Sequence, residues 1–197
     1  MNNYKLKTKV VFKKKMSGLL FLTSSDFAVT KGTKGPILCH GIKGFSLILF
    51  YATQCDYCKL LIPQFKRLPG SINGCQFGLL NVVQNKDIIR LANNTIAPIE
   101  YVPSIFLYIN GRPYLRYDGP HDENEIKKFV LDVATKFQNK QQFSENKIHE
   151  DSQGGIPSYC LGTPIKGDKK SLYGKTYLNW NNAYKPGQAP QKQTHRK

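Results

Sequence analysis

The stretch FSLILFYATQCDYCKLLIPQF, residues 45–65, constrains this chain more than any other. Residues 47–51 are uninterruptedly apolar and read as a strand buried on both faces. A short turn over 52–54 follows. Cys55-Asp56-Tyr57-Cys58 then opens an apolar helix carrying Leu60, Leu61 and Phe65. Cysteines at i and i+3 on the first turn of a helix lie close enough to close a small disulfide ring. The first of them sits where unpaired backbone N–H groups and the helix dipole favour a thiolate. The thiolate, not the thiol, attacks a disulfide sulfur, so the placement has chemical meaning.

The same spacing serves zinc, but zinc needs a second pair of ligands. The remaining candidates are Cys39, His40, Cys75, His121, His149, Cys160 and His195. None forms a second C-x-x-C or an H-x-x-x-H, and the adjacent Cys39-His40 pair has poor ligand spacing. A C-x-x-C next to alternating strands and helices favours redox chemistry. No metal and no cofactor is called for. Cys39 and Cys75 read as buried thiols, and Cys160 as either a passive small residue or a third redox cysteine.

Twenty-nine Lys and Arg face 13 Asp and Glu, a formal charge of +16 in 197 residues. The excess sits at the ends. Lys5, Lys7, Lys9, Lys13, Lys14 and Lys15 precede any acid, and Lys166, Lys169, Lys170, Lys175, Lys185, Lys192, Arg196 and Lys197 mark the tail. Basic ends favour nucleic acid, acidic proteins or anionic surfaces as partners. No apolar run approaches the roughly 20 residues of a membrane span. Residues 19–22 are too short for the core of a signal peptide, so the expected compartment is the reducing cytoplasm.

Three segments are expected: a basic arm over 1–18, a folded domain over 19–138, and a linker with an extended irregular tail over 139–197. Within the domain, strands are predicted over 19–22, 75–83, 104–109 and 113–117 besides the central one. A short helix is predicted over 26–29, with Thr23, Ser24 and Ser25 as candidate caps. Residues 31–35 read as a loop, 36–40 are ambiguous, and Pro63 should kink the helix it lies in. Residues 86–93 have helical spacing. Asn110-Gly111 is a hairpin turn. Asp122 caps a last helix whose buried stripe is Ile126, Phe129, Val130, Val133 and Phe137. Helices between strands imply a parallel core, to which the final hairpin adds antiparallel strands. Beyond Asn139, aromatics are scattered without period and aliphatics are few, which is too thin to fold alone.

Three features together resemble the thioredoxin family over about residues 19–137: F-Y-A-x-x-C-x-x-C-K from Phe50 to Lys59, Pro63 five residues after Cys58, and V-P-S-I-F-L-Y-I-N-G from Val102 to Gly111. The resemblance implies an α/β thioredoxin-like fold, a central mixed four- to five-stranded sheet flanked by helices. It also implies a cis Pro103 against the cysteine pair, in a loop that holds a peptide by its backbone; X–Pro bonds alone take cis cheaply. On that template Cys55 attacks a substrate disulfide and Cys58 resolves the mixed disulfide. Tyr57, Val102 and Pro103 hold the substrate, with Gln54, Asp56 and Lys59 as neighbours of the site. Disulfide-containing proteins and a reductase or thiol donor are the implied partners.

The chain departs from the family at several points. Gln54 stands where a tryptophan is usual, Asp56-Tyr57 where Gly-Pro is usual, and Leu49 where a buried acid relays protons. Asp56 should disfavour the adjacent thiolate by like charge. Tyr57 at its motif position is also glutaredoxin-like, but Asp118-Gly119-Pro120 replaces the Gly-Gly expected there, and a β-α unit over 19–29 is expected at the start. The tail motif P-S-Y-C-L-G-T-P, residues 157–164, resembles thioredoxin-like proteins of large DNA viruses. That resemblance opens an alternative: a virion or capsid-associated scaffold whose basic arms contact capsid proteins or nucleic acid.

Overall fold

The computed structural model describes residues 18–139, 148–149, 155–159 and 178–179. The expected basic arm, Cys160, His195 and most of the tail lie outside the described residues.

The central strand is β4, Phe45–Tyr51, in which Leu47, Ile48, Leu49 and Phe50 are all fully buried. Side chains alternate faces along a strand, so a run with no polar residue must be covered on both sides. Leu47 and Leu49 meet Leu61 and Phe65 of α1, Asp56–Phe65, and Ile126, Phe129, Val130 and Val133 of α3, Glu123–Asn139. Ile48 and Phe50 face the other way, into Ile88, Ile89 and Ala92 of α2, Lys86–Asn93, with Phe27 and Leu38.

Around β4 the sheet is mixed. β1, Leu19–Leu22, pairs in parallel with β5, Cys75–Asn81, and β5 in parallel with β4. β7, Ser104–Ile109, is antiparallel to β4 and to β8, Arg112–Tyr117. These five strands are the expected sheet. Two more pieces extend it. β10, Ser158–Tyr159, runs parallel to Arg116 and Tyr117, and β9, Ile148–His149, runs antiparallel to β10.

The expected helix over 26–29 is not formed. A single 3-10 turn spans Ser24–Asp26, closed by the Thr23 N–H donating to the Asp26 carboxylate at 2.8 Å. The chain then extends as β2, Phe27–Lys31, and returns antiparallel as β3, Pro36–His40. The reason lies in residue shape. The Thr-Asp pair satisfies one turn only, while Val29 and Thr30 are β-branched and the glycines at 32 and 35 permit a return. The expected β-α unit at the start is therefore a strand and a hairpin. Phe27 turns inward against Phe50, ring centroids 5.8 Å apart.

Other elements match the sequence closely. Helix α1 continues through Pro63 to Phe65. Asp122 caps α3, its carboxylate accepting from the Asn124 N–H at 2.9 Å. Phe137, expected in the buried stripe, is 47% exposed and sits edge-on to Phe45 and Tyr114 instead. It lies near the C-terminal end of the helix, where its sheet partners Phe45 and Tyr114 are themselves only partly buried at the margin of the core. The Asn110-Gly111 turn has both residues at positive φ, 52° and 76°, the geometry of a tight two-residue hairpin.

Gly111 is under a second constraint. A Cβ there would lie 1.9 Å from the backbone oxygen of His40, and the Gly111 carbonyl accepts from the His40 N–H at 3.0 Å. Gly111→Ala should therefore destabilise by about 2–3 kcal/mol, adding backbone strain to a clash that only β3 or the hairpin can relieve by moving. A urea melt would measure it. His40 itself is buried; its Nδ1 accepts from the Ile42 N–H at 3.1 Å and its Nε2 lies 3.2 Å from Ser46 Oγ. Burial pushes its pKa down to about 4, against a smaller opposing pull from Asp26. The unfolded chain takes the proton near pH 6.5, so between about pH 6.5 and 4 it binds more protons than the folded one. Stability should fall as pH drops through that window, by about 2 kcal/mol between pH 7 and 5. His40→Gln, although less stable at pH 7, should lack this component in urea melts at the two pH values.

Candidate active site

Strand β4 ends at Tyr51, and the turn after it delivers Cys55 to the start of α1. The Cys55 N–H donates to the Ala52 carbonyl at 3.2 Å, which closes the turn. Cys55 is the N-cap residue, with extended backbone at φ −81° and ψ 115°. Its sulfur accepts the Cys58 N–H at 3.2 Å, so a cysteine does here what Ser or Asp does at most helix starts. As a thiol, Cys55 donates to the Val102 carbonyl at 3.5 Å. Cys55, Cys58, Cys39 and Cys75 are all free thiols.

Val102 belongs to β6, Tyr101–Val102, and the Val102–Pro103 peptide bond is cis. Val102 and Pro103 are buried. The structure thus brings Cys55 and Cys58 together with Val102 and Pro103, although Cys55 and Val102 are 47 residues apart in sequence. Tyr57 is half-buried and packs against the apolar cluster containing both sulfurs. Gln54, Asp56 and Lys59 are exposed around it. Lys59 Nζ lies 2.7 Å from the Asp56 carboxylate, so the like charge expected beside Cys55 is partly neutralised on the surface.

The two thiols are driven apart electrostatically. The Cys55 pKa is lowered, first by a hydrogen bond from the Cys58 thiol and then by the backbone N–H groups of Cys58 and Tyr57; burial and Asp56 oppose this. Cys58 is pushed far above the ordinary thiol range, first by burial and then by holding its proton toward Cys55. Leu49, which stands where the family has a buried acid, is wholly enclosed in the sheet core. Among the described residues there is no cluster of three or more His, Cys, Asp or Glu that could hold a metal ion. No described helix is long and apolar enough to cross a membrane.

Sequence inspection missed the support behind β6. Tyr101 donates its hydroxyl to Asp118 at 3.2 Å, and Arg116 grips the same carboxylate at 3.1 Å. Ser104 Oγ donates to the Tyr101 carbonyl at 2.5 Å. It also missed that Leu178–Asn179, as β11, pairs antiparallel with Tyr101–Val102.

The profile of the thioredoxin family matches residues 40–132. An uncharacterized protein, 196R of Invertebrate iridescent virus 6, is 34% identical over 176 residues, covering 86% of this chain and 95% of that protein. An alignment of that length runs beyond residues 19–138, so the similarity includes part of the extensions. Among solved structures, a mutant thioredoxin from Halobacterium salinarum superposes with a TM-score of 0.44 at 17% identity, covering 60% of this chain and 92% of that one. Human ERp44 superposes with a TM-score of 0.41 at 20% identity, covering 46% of this chain; the match spans only a quarter, 25%, of the ERp44 chain.

The split between the sulfurs predicts selective alkylation. In the reduced protein, iodoacetamide should label Cys55 with a pH midpoint below the ~8.5 of a free cysteine and should leave Cys58 unlabelled. Peptide mapping across pH 5–10 measures both, and equal labelling of the two would contradict the assignment.

Proposed function

This chain belongs to the thioredoxin family, and from that premise we propose that it is a thiol-disulfide oxidoreductase acting on protein substrates through Cys55 and Cys58. The observation that carries the proposal is the capped sulfur: Cys55 accepts a backbone N–H at 3.2 Å and sits beside the Val102 carbonyl that precedes a cis proline.

The Cys55 thiolate attacks one sulfur of a substrate disulfide. A Cys55–substrate bond forms, the substrate S–S bond breaks, and one substrate thiolate leaves. Val102 and Pro103 align the substrate backbone, and Tyr57 packs beside it. Cys58 then loses its proton and attacks the Cys55 sulfur, releasing the second substrate thiolate and leaving a Cys55–Cys58 disulfide. A thiol donor or reductase restores the dithiol. The reverse sequence oxidises a substrate dithiol.

Cys58 lacks the buried acid that the family uses, yet its own surroundings change during the cycle. Its pKa is raised by burial and by its hydrogen bond and charge interaction with Cys55. Once Cys55 is in a mixed disulfide its charge is gone, and only burial still holds the Cys58 proton. Resolution thus becomes possible when it is needed, although burial keeps it slow. The viral source of the relative makes the cytoplasm of an infected cell the compartment that we infer. The scaffold alternative draws on the charged arms, most of which lie outside the described residues.

Insulin reduction driven by dithiothreitol tests the proposal. Cys55→Ser should lower the protein-dependent rate to background, a loss of at least roughly 100-fold. Cys58→Ser should accumulate a mixed disulfide, visible on a non-reducing gel. Equal rates for the native protein and Cys55→Ser would remove the enzyme reading.

A further inference from the structure

Strand β6 is not part of the main sheet. Among the described residues its ladder partner is β11, with Leu178 opposite Val102 and Asn179 opposite Tyr101. An unpaired strand edge presents backbone donors and acceptors that any extended segment can use. Here that edge belongs to the residue whose carbonyl takes the Cys55 thiol. We propose that residues 178–179 act as an intramolecular strap, occupying in antiparallel register the backbone edge on which the site takes an extended substrate. The inference rests on the reading of Cys55 and Val102 as the reactive and substrate-aligning groups.

Three further observations agree with a closed form. Cys55 exposes only 3% of its surface and Val102 none, although a nucleophile for another protein's disulfide needs access. The tail is anchored upstream. The Pro157 carbonyl accepts from the Arg116 N–H at 3.1 Å, and Ile156 is buried in the apolar cluster that contains Cys55, Cys58 and Val102. The two landing points are also joined, because Arg116 at the β10 contact and Tyr101 at the β11 contact share the Asp118 carboxylate.

Recognition through backbone alone has consequences. It tolerates varied side chains, so the strap and an extended, disulfide-bearing protein segment compete for one edge. Two residues of ladder form a weak clamp, but tethering gives it a local concentration that a free segment must overcome. The device would favour substrates that bring a strand of their own over small thiols and disulfides.

Adjacent pairs in an antiparallel ladder alternate between hydrogen-bonded and non-hydrogen-bonded, so one of Leu178 and Asn179 supplies the donor. Replacing both by proline in the full chain, Leu178→Pro with Asn179→Pro, removes it in either case. In the reduced protein, the rate of Cys55 alkylation by iodoacetamide should rise about tenfold, as expected if the open form is about a tenth of the native population. A synthetic peptide of residues 173–184 should slow it again. Hydrogen exchange on the unsubstituted chain gives a second measure, with one of the two amides at 178 and 179 protected. An unchanged alkylation rate, or both amides exchanging as in a free peptide, overturns the strap whatever the insulin assay gives. A raised rate without insulin reduction by either form keeps the strap and removes the enzyme reading.

Discussion

The site depends on one sulfur that completes a helix. Cys55 Sγ takes the Cys58 N–H, a donor that every α-helix leaves over at its first turn. The sulfur is therefore part of the backbone hydrogen bonding of α1, which sets where it points. Its pKa is lowered mainly by the hydrogen bond from the Cys58 thiol, and this N–H adds to the effect, because a donor aimed at sulfur stabilises the anion more than the thiol. The cap thus fixes the position of the sulfur and adds to its acidity, so on the proposed reading a side chain that capped the helix equally well without sulfur would keep the fold and lose the chemistry.

What fixes that sulfur opposite Val102 is the sheet. β4 leads into α1, and β7, its antiparallel neighbour, begins one residue after Pro103. Phe50 is opposite Ser104 in the register, so the ends of the two strands leave the sheet together, one toward Cys55 and the other toward Val102. The full burial of Leu47, Ile48, Leu49 and Phe50 resists any slip of that register, since a shift by one residue would swap both core faces at once. The distance of 3.5 Å between Cys55 and the Val102 carbonyl is in this sense a consequence of two packed strands.

Where side chains carry the signal, the sequence was legible. The apolar run of β4, the helical stripe of α3, the Asn110-Gly111 turn and the Asp122 cap each reflect burial or a backbone requirement tied to residue type. The hairpin β2–β3 was misread because Thr23 and Asp26 do form a cap, but for one 3-10 turn, and local capping chemistry does not set helix length. Burial of Phe27 between His40, Phe50 and Tyr108 decides the extended form, and those partners come from distant positions. The pairings of β10 and β11 leave no pattern at all. They join two-residue segments through backbone groups that every residue possesses, so nothing in the composition of the tail distinguishes residues 178 and 179 from their neighbours.

The loss of the buried acid and the presence of a covering strand bear on successive steps of one cycle. With Leu49 sealed in the core, no carboxylate is positioned there to take the Cys58 proton. On the reading proposed above, deprotonation relies on the discharge of Cys55, which follows only the attack on a substrate disulfide. A site built this way keeps Cys58 protonated and unreactive until a mixed disulfide exists. On the proposed reading, β11 adds an earlier checkpoint, because attack itself requires an extended segment able to displace it from Tyr101 and Val102. Backbone pairing then governs entry, and the charge on Cys55 governs resolution. The two controls act in sequence, and neither needs the proton relay that the family ordinarily supplies.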